Sequence, residues 1–483
     1  MRTSPMQSLR RFGRALLAAP LVVAGLSCTE LTEVPHDALT PDNAFKTEAE
    51  LLAGVAAVYA GLRPIEWVGY VTLQDLTADV SIVPTRGSDW YDNGRWLEMH
   101  RQTWTENSGS ALDDMNGAWN NLFAGIAKAN LMIDVVTKAG GPNAPRTLAE
   151  LRTLRVWYYY MLQDMFGGVP LVDQHSSKPA QVARATREEI FNFMESELIA
   201  SVPDLPDAWP AAGYGRITKG AANAILASLY INAGVFKKSA APDADQGINA
   251  TGYNSCSGVT VTGGANACTA AINAANAVIN SGQYSLAPNW RDNFDQDNHT
   301  SPENIFVIVY TAEGSQGLGG NWPFRTLHYN QLNSGWGSPW NGFATLAETY
   351  AQFEATDERR GMWLEGQAVS YETGAPVNDR SGNPLIFTAA IPDANQANEA
   401  HGVRFNKFPP IPSAPTGNAM PNDFPFFRLS EMYLIKAEAE NEQAQTATAR
   451  TTVATVHNLR NAANPVPAGM TQQAMRDYIL RER

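Results

Sequence analysis

Charge is scarce in this sequence of 483 residues. Asp, Glu, Lys and Arg make up only 17% of it, against about 25% in an average soluble domain. The balance is acidic: 35 Lys and Arg against 48 Asp and Glu give a formal net charge of −13. There is no basic run, which argues against nucleic acid as a partner. There is no Gly-X-Y period, so the chain is not collagen-like. Beyond the N-terminus no apolar run reaches about 18 residues, the length needed to span a bilayer. The common catalytic signatures are also missing: HExxH, CxxC, Gx4GK[ST], GxSxG and GxGxxG do not occur. The seven His are scattered without metal-ligand spacing. No catalytic residue, metal or cofactor is therefore expected. Paired carboxylates for glycoside hydrolysis are distant in chain and close in space, so one sequence leaves that enzyme class open. Asp243-Ala244-Asp245-Gln246-Gly247 and Asp295-Gln296-Asp297-Asn298 are faintly Ca²⁺-like, but neither completes an EF-hand pattern.

What the chain does have is apolar and aromatic. Hydrophobic residues make up 44%, with 12 Trp, 16 Tyr and 18 Phe beside 38 Gly and 29 Pro. Such a composition excludes a disordered chain. It leaves an oddity, a surface poor in charge but rich in Trp, Asn and Gly.

The N-terminus carries an address. Arg2, Arg10, Arg11 and Arg14 precede a short apolar run, Ala15 to Gly25, and small residues follow. This is the pattern of a secretory signal peptide over residues 1–27. Leu26-Ser27-Cys28 resembles a bacterial lipobox, with Gly25 three places before the Cys and Leu26 one place late. Cys28 is thus the expected lipidation site, and its acyl chains would anchor the mature protein. Cys256 and Cys268 remain. Outside the cytosol a disulfide between them is the natural reading, with two free thiols as the alternative.

Helical periodicity dominates the regular parts. Leu51, Leu52, Val55, Val58, Tyr59 and Leu62 form an apolar stripe within 44–62. Trp119, Phe123, Ile126 and Asn130 mark a helix over 115–137, and 148–166 forms another with Trp157-Tyr158-Tyr159-Tyr160 inside it. Gly167-Gly168-Val169-Pro170 stops that helix. Further helices are expected over 187–201, 218–233, 266–280, 428–444, 447–462 and 472–483. Strand signal is scarce; Ile305 to Tyr310 is the best case. Short paired helices suggest a mainly α fold, a TPR-like helical-hairpin solenoid with little β. Long irregular stretches interrupt it, at about 79–114, 292–344 and 362–426. Such loops in an ordered protein are usually binding loops.

Two of these loops concentrate aromatic residues. Asp89, Trp90, Tyr91 and Trp96 lie in the first; Trp322, Tyr329, Trp336, Trp340 and Asn341 lie in the second. From Gly314 to Ala347 the only charged residue is Arg325. Flat rings cover the apolar face of a sugar, while Asn, Asp and Arg bond its hydroxyls. These nine residues are the candidate ligand site. The competing reading is that the rings pack the loops onto the helices.

Several blocks resemble the RagB/SusD family of nutrient-uptake outer-membrane lipoproteins. Asn116-Gly117-Ala118-Trp119-Asn120-Asn121-Leu122-Phe123 with Ile126 and Asn130 is similar to the family's W…Y/F..I…N helix. Arg152 to Tyr160, then Phe166-Gly167-Gly168-Val169-Pro170-Leu171-Val172, resembles its R-x-L-R-x-x-Y-Y…FG-x-V-P-L block. The segments 40–48 with 58–62, 215–222 and 428–439 match further blocks. The resemblance implies one SusD-like domain over 28–483, with four TPR-like helix pairs and an irregular ligand-binding half. It implies a non-enzymatic protein, lipid-anchored at the outer membrane and facing the cell surface. Its partners would be oligosaccharide or another nutrient and a SusC-like TonB-dependent barrel. A TPR-like scaffold that binds only proteins is the alternative function. Family members continue past a segment like Tyr478 to Arg483 into an E-L-x-x-E…R-W-x-D-L-x-R tail, so the chain reads as truncated.

Overall fold

The computed structural model describes residues 44–66, 70–176, 181–237, 253–311, 320–332, 338–410 and 420–483. The signal peptide, Cys28, the Asp243–Gly247 segment and Trp336 lie outside the described residues.

Helices account for about 51% of the structure. They are α1 (Glu48–Ala60), α2 (Tyr70–Thr77), α3 (Arg95–His100), α4 (Gly109–Ala139), α5 (Ala144–Phe166), α6 (Arg187–Ser201) and α7 (Lys219–Ile231). They continue with α8 (Ala233–Phe236), α9 (Ala267–Ile279), α10 (Trp322–Thr326), α11 (Ala347–Ala351), α12 (Leu429–Glu442), α13 (Thr446–Arg460) and α14 (Gln472–Glu482). The expected helices are all present, within a few residues at their ends apart from α4, which begins at Gly109. The expected loop 79–114 is correspondingly shorter than its sequence suggests, and it holds α3 as well.

Local chemistry sets the boundaries. Gly140 and Gly141 take φ of 64° and 92° after α4, a left-handed turn that carries the chain into α5. Thr186 and Glu189 close a capping box at the start of α6: the Glu189 N–H donates to Thr186 Oγ1 and the Thr186 N–H to Glu189 Oε2. Thr218, Asn266 and Thr471 cap α7, α9 and α14 through their side-chain oxygens.

The long helices pack largely in chain order. α4 lies on α5, α5 on α6, α6 on α7, α7 on α9, α9 on α12, and α12 on α13 and α14. This is the stacked helix-pair frame of a TPR-like fold. The aromatic run of α5 is its core: Trp157, Tyr158, Tyr159 and Tyr160 are all buried. Their hydroxyls are satisfied, Tyr158 by Val58 O at 2.6 Å, Tyr159 by Val172 O at 3.0 Å and Tyr160 by Ser228 Oγ at 2.7 Å. At Gly125 on α4 a Cβ would stand 2.7 Å from Tyr158 Cδ1. The missing Cβ therefore lets α4 and α5 approach closely.

The β content is small. β1 (Asn304–Ile308) pairs antiparallel with β6 (Phe424–Arg428), with irregular register between Asn304 and Val307. β2 (Trp363–Leu364) pairs with β5 (Arg404–Phe405), and β3 (Gly366–Gln367) with β4 (Ile386–Phe387). Beside β1 sits Glu303, which is fully buried. It accepts from Arg428 Nη1 at 2.7 Å, Arg460 Nη2 at 2.9 Å and the Ala287 N–H at 3.0 Å. Burial alone would raise its carboxyl, but the guanidiniums of Arg428 and Arg460 outweigh that and hold it below the ordinary range.

Cys256 and Cys268 form a disulfide, with Cα atoms 5.1 Å apart. It ties the segment after Tyr253 to the first turn of α9. Closing so short a loop is worth roughly 3 kcal/mol. Denaturant unfolding of Cys256→Ser/Cys268→Ser should show a loss of that order. A loss near zero would mean that the segment is held by its other contacts.

Candidate functional site

The first aromatic loop is built on a buried cation. Arg86 is 2% exposed. Its Nε donates to Asn341 O at 2.9 Å and its Nη2 to His401 O at 2.9 Å. The chain then reverses, with paired bonds between the backbones of Arg86 and Asp89. Gly87 takes φ of 66° at the tip. Beyond it Trp90, Asp92 and Asn93 hold φ of 61°, 39° and 56°, and Gly94 φ of 83° leads into α3. Left-handed non-glycine residues cost on the order of 1–3 kcal/mol each and persist only where their surroundings hold them.

Trp90 shows what holds it. Its Nε1–H donates to Trp340 O at 2.6 Å. Its ring meets Trp96 and Phe343 edge-on, with centroids 5.3 Å and 5.9 Å away. Trp96 and Phe343 are buried behind it in a cluster with Leu76, Val83 and Met99. The Trp96 Nε1–H donates to Asp92 Oδ2 at 2.6 Å.

The second loop lies against the first. The backbone of 340–343 runs beside that of 324–327: Trp340 N donates to Phe324 O, Asn341 N to Leu327 O, and Gly342 N to Arg325 O. Tyr329 reaches across, and its hydroxyl donates to Asp89 Oδ2 at 2.6 Å. Arg380 pairs with the same oxygen at 3.0 Å and covers the Tyr329 ring at 4.5 Å. Arg380 also pairs with Glu399, which meets His328 Nε2 at 3.0 Å. Burial, and then the Asp89 carboxylate, push the Tyr329 phenol up, so it stays a donor at neutral pH. Burial pushes His328 below its ordinary value despite Glu399, so its imidazole is neutral.

These loops and α4 enclose an open cavity of about 780 Å³. Trp90, Tyr329 and Trp340 present half-buried rings to it. Asp89, Asp92, Asp114, Arg95, Arg325 and the hydroxyls of Ser88 and Ser338 supply its polar wall. Asp114, on α4, is 6% exposed and paired with Arg95. Burial raises its carboxyl more than Arg95 lowers it. The Arg95 guanidinium in turn covers the Trp96 ring at 4.5 Å. The cavity combines flat apolar surface with donors and acceptors at the edges, which suits a polar, ring-shaped ligand. Among the described residues no cluster of His, Cys, Asp or Glu is arranged to hold a metal.

Of the nine candidates, the fold brings Asp89, Trp90, Trp96, Tyr329 and Trp340 to one cavity. Trp322 is not there. It is 8% exposed and packs among Trp290, Phe294 and Phe408, so it holds the loop half together. Asn341 is fully buried, and its Oδ1 accepts from Arg404 Nη2 at 2.9 Å. It serves as scaffold rather than cavity wall. Tyr91 is 57% exposed and stands outside the lining. Half of the lining residues outside those candidates are charged: Asp92, Arg95, Asp114 and Arg325. Arg325 had a signal, as the one charge in an uncharged loop. Arg95 had one too, as an arginine inside the first aromatic segment; Asp114 had none, since its meeting with Arg95 depends on how α3 settles on α4.

Residues 39–231 match the family model SusD-like_3, described as starch-binding associating with outer membrane. Residues 380–483 match the model of the SusD family. Together they take in more than half of the chain. SusD-like protein P2 of Formosa agariphila is 24% identical over 488 residues, covering 96% of this chain and 86% of that protein. Among solved structures, a laminarin-binding SusD-like protein superposes with a TM-score of 0.69 at 21% identity, covering 91% of this chain and 88% of its own. Surface glycan-binding protein A of Bacteroides thetaiotaomicron, in complex with laminarihexaose, gives 0.65 at 18%, covering 89% and 87%. At these identities the likeness establishes the fold alone.

Proposed function

The chain belongs to the SusD/RagB family, and from that premise we propose that it is a surface-exposed binding lipoprotein which captures oligosaccharides and passes them to a SusC-like TonB-dependent transporter. The family is outer-membrane associated. The observation that carries the ligand class is the cavity itself, in which three half-buried rings from two distant loops face one space edged with polar groups. The paired charges favour a neutral ligand. Asp89 is engaged by Tyr329 and Arg380, Asp92 by Trp96, and Asp114 by Arg95. A free polyanion would meet these carboxylates and a chain of net charge −13. Relatives described as glycan-binding support binding without turnover, as does the absence of catalytic motifs from the sequence.

Delivery to a barrel and lipidation at Cys28 rest on the N-terminal pattern and the family. The stacked helices offer a broad surface for such a partner, leaving the aromatic loops for ligand.

A glycan array and a peptide pool applied to the protein lacking residues 1–28 test the ligand class. Saturable binding to neutral oligosaccharides is the expected outcome. Binding to peptides alone would move the ligand to another class.

A further inference from the structure

We propose that Gly342 is a positioning residue of the aromatic cavity: the space left by its missing Cβ seats the indole of Trp90 and fixes how that ring faces the ligand. The consequence for affinity rests on the saccharide reading above, whereas the seating itself does not.

The geometry is specific. A Cβ on Gly342 would stand 2.5 Å from Trp90 Cε2 and 2.8 Å from Cη2. Both are far inside van der Waals contact. The backbone at 342 is not left-handed, so its conformation does not call for glycine. What excludes a side chain there is the neighbouring ring. Neither partner can easily retreat. The Gly342 N–H is bonded to Arg325 O at 2.9 Å, and Phe343 N to the same carbonyl. Trp90 is held at its N–H by Trp340 O and at its edges by Trp96 and Phe343. Its own backbone is left-handed, at φ 61°. A ring held on so many sides is fixed before ligand arrives, and a preformed platform loses little freedom on binding.

A Cβ at 342 therefore expels the indole from the wall. The Trp90 and Trp96 rings, 5.3 Å apart at 61°, are close enough for their transitions to couple in circular dichroism. The wild-type minus Trp90→Phe spectrum isolates that couplet. In Gly342→Ala the couplet should vanish while the helical signal is retained. Affinity for the probe laminarihexaose should fall about tenfold or more. Adding Trp90→Ala to Gly342→Ala removes the ring that the Cβ would strike. That double variant should therefore melt at the temperature of Trp90→Ala alone, a non-additive rescue. An intact couplet with unchanged affinity in Gly342→Ala overturns the proposal. If Gly342→Ala does not fold, recovery of folding in the double variant supports the seat, and continued failure overturns it. If wild type binds no laminarihexaose, the saccharide reading loses support, and the couplet and the rescue still decide the role of Gly342.

Discussion

Glu303→Ala should destabilise the protein by about 3–5 kcal/mol, the usual cost of removing one partner from a buried charge cluster. Glu303 is fully buried and accepts from two arginines on different elements, Arg428 at the end of β6 and Arg460 at the end of α13. It also takes the Ala287 N–H and the Asn293 amide, and its own carbonyl accepts from Leu429 N at 2.9 Å. Among the described residues, truncation leaves the Arg460 guanidinium, at 1% exposure, with the Ala287 carbonyl and Glu358. Glu303→Gln should cost less, because it keeps the volume and some of the hydrogen bonds. The carboxyl is held below its ordinary pKa in the folded state. Its contribution is therefore complete above the unfolded value and lost as pH falls through the folded one. Denaturant unfolding between pH 7 and pH 3 should show an acid loss in wild type that is smaller in Glu303→Gln. A cost below about 1 kcal/mol for Glu303→Ala would mean that the cluster is solvated.

Trp340→Ala should weaken saccharide binding about 30-fold or more, beside a stability cost from the lost packing of its ring on Phe324. A sugar face laid on an indole covers on the order of 100 Å² of apolar surface, worth about 2.5 kcal/mol at 25 cal/mol per Å². Two bonds are made by the Trp340 backbone, N to Phe324 O and O from Trp90 Nε1, while its ring packs beside Phe324. Both survive truncation. Trp90→Ala should lose at least as much affinity, but it also empties the seat at Gly342 and costs stability. Tyr329→Phe keeps its ring and loses only the bond to Asp89, so its effect should be the smallest of the three. Calorimetric titration against thermal melting separates the two kinds of loss.

The frame was legible because its signals are local. The stripe Trp119, Phe123, Ile126 and Asn130 lies on α4, and Gly167 closes α5 as a left-handed glycine should. Helices of five to eight residues, such as α2 and α10, are too short to show a period. The site was legible only as a list of ring-bearing positions. Trp322 and Trp340 look alike in sequence, yet one packs beside Phe408 and the other borders the cavity. Pairings across great separations decide between them: Ile82 with Ala344, Arg86 with Asn341, and Tyr329 with Asp89. The scarcity of charge has the same explanation. Much of the ring content of the uncharged loops is packed inside, as Trp322, Phe324 and Phe343 are, and a few half-buried rings remain for ligand. Arg86 and Arg404, buried under those loops and capped by backbone carbonyls, are the part no periodicity could have announced.

The most direct test is isothermal titration of the protein lacking residues 1–28 with a panel of neutral oligosaccharides that includes laminarihexaose, run beside Trp340→Ala. Saturable binding by wild type to at least one of them, lost or weakened about 30-fold or more in a folded Trp340→Ala protein, is the expected result. Equal affinity in the two proteins, or no binding to any neutral oligosaccharide, would contradict the assignment of this cavity.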